Sequence, residues 1–143
     1  MLCELSIRNI VLIDSLDLSF SRGLTVLSGE TGAGKSILLD ALGVALGGRV
    51  DTSMRRDGAP QASVTATFEI KNHEFLEEFF DKSGLSINGL EEQLLHLRRV
   101  INDDGRTRAF INDQPVTANI LRETGDLLVE IQGQFDAQGL LNS

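Results

Sequence analysis

The sequence predicts a mixed α/β domain in which a phosphate-binding loop joins a buried strand to a helix. The run Gly29–Ser36, GETGAGKS, matches the pattern G-x-x-x-x-G-K-[ST] without a mismatch. A short apolar run at 24–27 precedes it and an apolar helical pattern at 37–46 follows it, which is the context that the motif requires. Alternating strands and hairpin signals fill most of the remainder, so the sheet is expected to be mixed and to contain antiparallel hairpins.

The chemistry of this loop predicts a nucleoside triphosphate as ligand. Backbone N–H groups of such a loop surround the β-phosphate, and the helix that follows directs its N-terminus at the anion. Lys35 is expected to reach the β- and γ-phosphates, and the Ser36 hydroxyl to bind Mg²⁺. The alternative, a glycine-rich turn that merely links strand to helix, is disfavoured by the flanking pattern. The residues expected to contact the nucleotide here are Gly29, Glu30, Thr31, Gly32, Ala33, Gly34, Lys35, Ser36 and Ile37.

Size and composition indicate one domain, residues 1–143, large enough to bury a core. No apolar run approaches the length of a membrane span, and Glu4 and Arg8 interrupt the stretch where a signal peptide needs apolar residues. The single cysteine, Cys3, fits a reducing compartment, and we expect it to be a small buried residue of the first strand. We therefore expect a cytoplasmic protein. The net charge of −8 argues against a basic DNA-binding coat but allows a local basic patch.

Alternation of apolar and polar residues predicts strands at 2–8, 16–20 and 64–70, in addition to the strand that carries the loop. The phenylalanines of the segment 75–80 recur at helical spacing and are interpreted as core residues of a short helix that ends near Gly84. The tetrapeptide Asn-Asp-Asp-Gly at 102–105 predicts a hairpin. A helix at 118–123 and a buried strand at 127–131 are expected to follow it, and the strand opens into a loop at Gln132.

Antiparallel hairpins beside a strand–loop–helix unit are typical of the first lobe of an ABC-type ATPase head, whereas small-molecule kinases more often alternate strands and helices strictly. The residues resemble one such family closely. The stretch LSIRNIVLIDSLDLSFSRGLTVLSGETGAGKSILLDALGVALGGR, and after it MRRDGA, LRRVINDDGRTRAFIND and LLVEIQGQFDAQGLL, is similar to the opening of the RecN family of bacterial SMC-like DNA repair proteins. The resemblance covers essentially the whole chain in order.

This resemblance implies the N-terminal lobe of an ABC/SMC-type P-loop ATPase head that forms a homodimer with ATP and Mg²⁺ between two copies. In the family, ATP binding and hydrolysis are linked to the holding of DNA ends or duplexes during double-strand-break repair. The resemblance therefore implies a nucleoid-associated cytoplasmic protein with no membrane partner. The signature motif, the Walker B aspartate and the catalytic glutamate of the family are expected in a C-terminal half beyond a coiled coil. Alone, 1–143 is therefore expected to bind ATP incompletely and to hydrolyse it very slowly.

The resemblance also implies site residues beyond the loop. SMC-like heads carry a glutamine that contacts Mg²⁺ and the attacking water in the loop that Gln132 begins. Gln132 is the better match, and Gln134 remains the alternative. Arg56 matches an arginine that the family places near nucleotide and DNA, although a solvated charge pair explains Arg55 and Arg56 equally well. One departure is that Asn9 is followed by Ile10, where many such heads have an arginine after Asn-Phe, so this segment is expected to serve the core.

Four arginines crowd the predicted hairpin and form the best local basic patch of an acidic chain: Arg98, Arg99, Arg106 and Arg108. They are expected either to contact phosphates or, slightly favoured, to pair with Asp103, Asp104 and nearby glutamates. Two other functions remain open for the chain as a whole. One is a bridging head that uses ATP as a clamp without hydrolysing it. The other, disfavoured by the long Lys35-to-Gln132 separation, is the nucleotide-binding domain of a transporter.

Overall fold

The computed structural model describes residues 2–10, 13–19, 32–50, 52–56, 58–70, 74–87 and 93–128, with the backbone alone described for 32–36 and 52. Its elements, in chain order, are β1 (Leu2–Ile10), β2 (Ile13–Ser19), α1 (Gly32–Ala45), a 3-10 turn (Thr52–Met54), β3 (Gln61–Glu69), α2 (Glu74–Lys82), β4 (Leu94–Asn102), β5 (Thr107–Ile111), β6 (Gln114–Val116) and a third helix, α3, over 118–128.

The six strands form one sheet in the order β2-β1-β3-β4-β5-β6, and every described pair is antiparallel. The predicted strands of the N-terminal region, of 64–70 and of the 102–105 hairpin are confirmed, as is the mixed α/β class with antiparallel hairpins. The strand predicted at 24–27 lies outside the described residues. Although α1 separates β1 from β3 in sequence, the two strands are neighbours in the sheet.

The core lies between one face of this sheet and the helices. Rows of side chains run across its inner face, because strand register aligns residues of equal parity. One row joins Leu5, Ala66, Leu97 and Ile111, and all four are buried. The next row joins Ile7, Val64, Arg99 and Ala109, so one arginine occurs among apolar side chains.

Two irregularities in β1 bring additional side chains into the core. A register shift between Leu2 and Glu4 places Leu2 opposite Phe68, so that Leu2 is buried although its parity differs from that of Leu5. Near the other end, Asn9 adopts a left-handed conformation with φ 57°, which asparagine tolerates better than most residues. Ile10 follows it and is buried, in agreement with the core role expected of this segment.

Helix α1 packs over β1, β3 and β4 and ends in a Schellman motif. The N–H of Gly47 donates to the carbonyl of Val44 at 3.1 Å, and that of Gly48 donates to the carbonyl of Gly43 at 2.8 Å. Gly47 has φ 91°, the left-handed conformation that this cap requires and that glycine adopts without strain. The same cap closes α2 at Gly84 and confirms the predicted end of that helix.

Helix α3 begins where the Thr117 hydroxyl accepts a hydrogen bond from the Ile120 N–H at 3.1 Å, an N-cap. The sequence prediction of a helix at 118–123 followed by a strand from Leu127 was wrong over the described part, because the helix continues through Leu128. Gly125 resembles a helix breaker in sequence, but here it allows close packing. A Cβ built on it would lie 2.4 Å from the carbonyl oxygen of Leu46, at the end of α1.

The opposite face of the sheet is more polar. Ser6, Thr65, Arg98 and Phe110 share a row there, and the Arg98 guanidinium lies 4.4 Å from the centre of the Phe110 ring, a cation–π contact. A two-residue turn that the sequence interpretation did not identify connects β5 to β6. Asn112 and Asp113 both have positive φ there, 48° and 66°, which is typical of a type I′ hairpin. Among the described helices, none is long and apolar enough to cross a membrane.

Candidate nucleotide-binding site

Helix α1 begins inside the phosphate-loop motif. Its first five residues are Gly32–Ser36, the last five of the eight residues of GETGAGKS. The first N–H groups of an α-helix have no acceptor within the helix, so they are available to an anion at the N-terminus. The first turn contains no acidic residue that would repel such an anion. The predicted helix after the loop is thus confirmed, whereas Gly29, Glu30 and Thr31 lie outside the described residues.

A cleft of about 460 Å³ runs along α1, within the size range of small-molecule sites. Its lining includes Ile37, the residue after the motif, and Gly48, which follows the end of α1. Its wall also includes Leu39, which is 44% exposed and is the large apolar side chain that stands out as exposed among the described residues. Most of the lining is apolar, with one acid and one base: Ile10, Ile37, Leu39, Asp40, Gly43, Val44, Gly48, Arg49 and Met54.

The segment that carries Arg55 and Arg56 is fixed to the end of β1. The Arg56 N–H donates to the carbonyl of Asn9 at 2.8 Å, and the Asn9 amide donates to the carbonyl of Gln61 at 2.9 Å. Arg55 forms a β-bridge with Ile10, and its guanidinium donates to the carbonyl of Ala59. The left-handed Asn9 therefore fixes this segment through both its backbone carbonyl and its side-chain amide.

The Arg56 guanidinium lies 3.4 Å from the Asp14 carboxylate, with side-chain exposures of 44% and 83%. This contact gives Arg56 an acidic partner that the sequence did not indicate. An ion pair as exposed as this one contributes little stability and is easily exchanged for another anion. Met54, two residues before Arg56, lines the cleft.

Arg99 is the functional candidate that sequence reasoning placed wrongly. The sequence predicts it as part of a basic patch with the other hairpin arginines, but it is only 6% exposed and lies on the inner face of the sheet. Its Nη1 donates to the carbonyl of Gly48 at 3.3 Å and its Nη2 to the Thr107 hydroxyl at 3.2 Å. Burial lowers the pKa of the Arg99 guanidinium. The alternation of residues along β4 was the signal that could have placed Arg99 correctly, because Leu97 and Ile101 lie two positions to either side of it and therefore on the same face of the strand.

Two of the other three arginines of this region lie close to acidic side chains. Arg106 Nε lies 3.7 Å from Asp104 Oδ2, which agrees with the favoured pairing interpretation. Arg106 itself comes directly before β5 and is not part of that strand. Arg98 Nη1 lies 3.9 Å from Asp113 Oδ1. The expected basic patch is thus divided between two faces of the sheet, and its charge is partly neutralised. Gln132 and Gln134 lie outside the described residues, so the choice between them stays a prediction.

A helix that begins within a phosphate-loop motif and packs on an antiparallel sheet places this chain in the class of P-loop α/β domains. In agreement with this class, residues 4–139 match the AAA domain model, and the chain belongs to the AAA domain family. Within that class the chain is similar to DNA repair protein RecN of Vibrio cholerae, with 43% identity over 141 residues. That alignment covers 99% of this chain and 25% of the relative, so the chain spans about a quarter of the length of the curated protein it matches.

Solved structures of SMC proteins share the fold. One, concerned with ATP-driven dimerization and DNA-stimulated activation of SMC ATPases, has a TM-score of 0.64 at 21% identity and covers 88% of this chain and 79% of its own. The SMC head domain from Thermotoga maritima has a TM-score of 0.58 at 18% identity, covering 86% of this chain and 41% of its own. The resemblance to RecN and the SMC-type head fold, both expected from sequence, are therefore confirmed.

Proposed function

We propose that this chain is the N-terminal, ATP-binding lobe, residues 1–143, of a RecN-like DNA repair ATPase head. One observation carries the proposal: α1 begins at Gly32, inside GETGAGKS, and so has its N-terminus where the motif is expected to hold phosphates. Membership of the AAA domain family and the similarity to Vibrio cholerae RecN support it.

In this proposal the motif residues act on the triphosphate in distinct ways. Backbone N–H groups of Gly29–Ser36 hold the β-phosphate, and Lys35 donates to the β- and γ-phosphates. The Ser36 hydroxyl and the amide oxygen of Gln132, or alternatively Gln134, are oxygen donors of the kind that Mg²⁺ accepts. Such an ion keeps several waters and needs few protein ligands, which fits a donor set of this kind. When bound, it neutralises charge on the phosphate oxygens.

Arg56 is proposed to leave Asp14 for the nucleotide when ATP is bound. Its pairing is exposed and therefore weak, and its backbone is held by Asn9, so the proposed change involves the side chain alone. We further propose that two copies of the head enclose ATP between them and that the complete protein acts on DNA in the cytoplasm, associated with the nucleoid. The SMC structure concerned with ATP-driven dimerization supports this by analogy of fold.

The decisive test joins this chain to the C-terminal portion of the Vibrio cholerae relative and measures ATP turnover and dimer formation. We expect ATP-dependent dimers and turnover that is lost when Lys35 is replaced by alanine. Substituting Gln132 or Gln134 by alanine then identifies the residue that supports turnover. Dimers that form with ATP but show negligible turnover would indicate the clamp function instead. Absence of both dimers and turnover in a folded protein would contradict the proposal.

A further inference from the structure

The side chain of Arg99 occupies a position that apolar packing alone would give to an aliphatic residue. It faces the core from β4, in register with Val64 on one side and Ala109 on the other. Leu97 and Ile101, which share its face of the strand, are both buried. Removing a guanidinium from water is costly unless its hydrogen bonds are replaced. An arginine at this position therefore has to be explained by the contacts it makes.

Both of its hydrogen-bond acceptors among the described residues are neutral oxygens on different elements. The Gly48 carbonyl belongs to the cap that ends α1, and the Thr107 hydroxyl belongs to the first residue of β5. The guanidinium thus connects the helix to the β4–β5 hairpin. A cation close to the C-terminal end of a helix also interacts favourably with the helix dipole.

The opposite end of this helix is the phosphate loop. Helix α1 has 14 residues, from Gly32 to Ala45, and a helix of this length is a rigid element about 21 Å long. A contact that fixes one end therefore constrains the position and rotation of the other. Gly48 also begins the segment that forms the wall of the cleft and leads to Arg55 and Arg56.

We infer that Arg99 is a positioning residue for nucleotide binding, which fixes the C-terminal end of α1 to the β4–β5 hairpin and thereby sets the placement of the phosphate loop. This inference rests on the proposed ATP-binding function. Arg99 itself acts through α1, and its contribution is to keep the loop in the geometry that binds phosphates.

The test compares Arg99→Met and Arg99→Lys with Arg98→Met, the matched control. Arg98 is adjacent in the same strand but lies on the outer face, over Phe110. For each folded variant, calorimetry measures the dissociation constant for Mg-ATP and urea unfolding measures stability. We expect Arg99→Met to weaken Mg-ATP binding about tenfold, within the range of indirect couplings. Arg99→Lys should recover part of this loss, and Arg98→Met should bind as the wild type does.

The stability measurement separates positioning from a purely structural role. Replacing a buried charge by an apolar side chain of similar size is often neutral or stabilising. Arg99→Met is therefore expected to retain the wild-type unfolding midpoint while its affinity falls, a combination that a purely structural residue does not give. Amide exchange at Gly47 and Gly48 should accelerate in the same variant, because the cap loses its anchor.

If Arg99→Met does not fold, Thr107→Val provides the same test, since it removes one acceptor and leaves the arginine in place. Weaker Mg-ATP binding by folded Thr107→Val, relative to Arg98→Met, supports the inference. Wild-type affinity in folded Arg99→Met or Thr107→Val overturns it and leaves the proposed function intact. Failure of the wild-type chain itself to bind Mg-ATP overturns the proposed function, and with it this inference.

Discussion

Gly125 of α3 and Leu46 at the end of α1 approach so closely that a Cβ on Gly125 would lie 2.4 Å from the Leu46 carbonyl oxygen. The obstacle is backbone, which cannot rotate away, and it belongs to the helix that begins in the phosphate loop. Close packing of α3 thus supports the same end of α1 to which Arg99 binds.

Gly125→Ala is therefore expected to lower the free energy of unfolding by about 1–3 kcal/mol, the usual cost of overpacking. The control is Gly43→Ala in α1, where a Cβ meets nothing within 4 Å. That variant should be more stable than the wild type by up to about 1 kcal/mol, because alanine favours the helix. Urea unfolding of both checks this, and equal stabilities would show that the two helices do not pack as described.

Gly84 and Gly47, the glycines of the two Schellman motifs, allow the cost of backbone strain to be measured separately from the cost of steric overlap. Gly84, with φ 77°, has open space around its Cβ position, whereas a Cβ on Gly47, with φ 91°, would lie 2.4 Å from the Arg122 backbone. Gly84→Ala should cost about 1–2 kcal/mol from the left-handed conformation alone. Gly47→Ala should cost at least about 1 kcal/mol more, since overlap is added to strain. Unfolding midpoints in the reverse order would refute this difference.

Arg56 and Asp14 allow the charge-pair role of Arg56 to be separated from the nucleotide role. Arg56→Met and Asp14→Asn each remove the pair, and each should change stability by no more than about 0.5 kcal/mol because both side chains are in contact with solvent. Only Arg56→Met should weaken Mg-ATP binding. If its affinity equals that of Asp14→Asn in a calorimetric titration, Arg56 serves only to pair with Asp14.

Local sequence signals predicted much of this fold. Alternation of apolar and polar residues, helical spacing of apolar residues and turn-forming residues are signals that act over a few positions. They predicted the strands at 2–8 and 64–70, the hairpin at 102–105 and the helix that ends near Gly84. The continuation of α3 past Gly125 was not predictable in this way. The sequence does not distinguish a glycine that ends a helix from a glycine that lets a neighbouring helix pack closely. Only the close approach of the Leu46 carbonyl shows that Gly125 is of the second kind.

The candidate site divides in the same manner. The phosphate-loop motif is contiguous, so it was recognised directly. The Arg56–Asp14 pair depends on Asn9, which has a left-handed conformation. The Asn9 carbonyl accepts a hydrogen bond from the N–H of Arg56, a residue more than forty positions later in the sequence. Arg99 depends on the register that places it between Val64 and Ala109 and beneath the end of α1. The spacing of neighbouring residues in the sequence predicts neither relationship.

A pH effect is expected from Asp17, whose carboxylate accepts two hydrogen bonds from Arg8, at 2.8 and 3.1 Å. These bonds, and one from Ser6, hold the pKa of Asp17 below its ordinary value of 3.8. Because the folded pKa is lower than the unfolded one, the contribution to stability is present above 3.8 and is lost as pH falls through the folded value.

Asp17→Asn should consequently be less stable than the wild type at neutral pH, with a difference that narrows as the pH falls below 3.8. The same substitution in an Arg8→Met background should produce little pH-dependent difference, since the donor is already gone. Urea midpoints at several pH values provide the measurement. A difference that persists unchanged at acid pH would mean that the Arg8 contact does not control Asp17.

The central claim, that this chain binds ATP through the phosphate loop, is tested most directly by calorimetric titration of Mg-ATP into the wild type, Lys35→Ala and Lys82→Ala. Lys82 is the control because it is an exposed lysine on α2 that pairs with Glu78 at 3.1 Å, away from the motif. We predict binding by the wild type and by Lys82→Ala, and a loss of at least about tenfold for Lys35→Ala, the scale of one charged hydrogen bond. Equal binding by folded Lys35→Ala and Lys82→Ala would contradict the account.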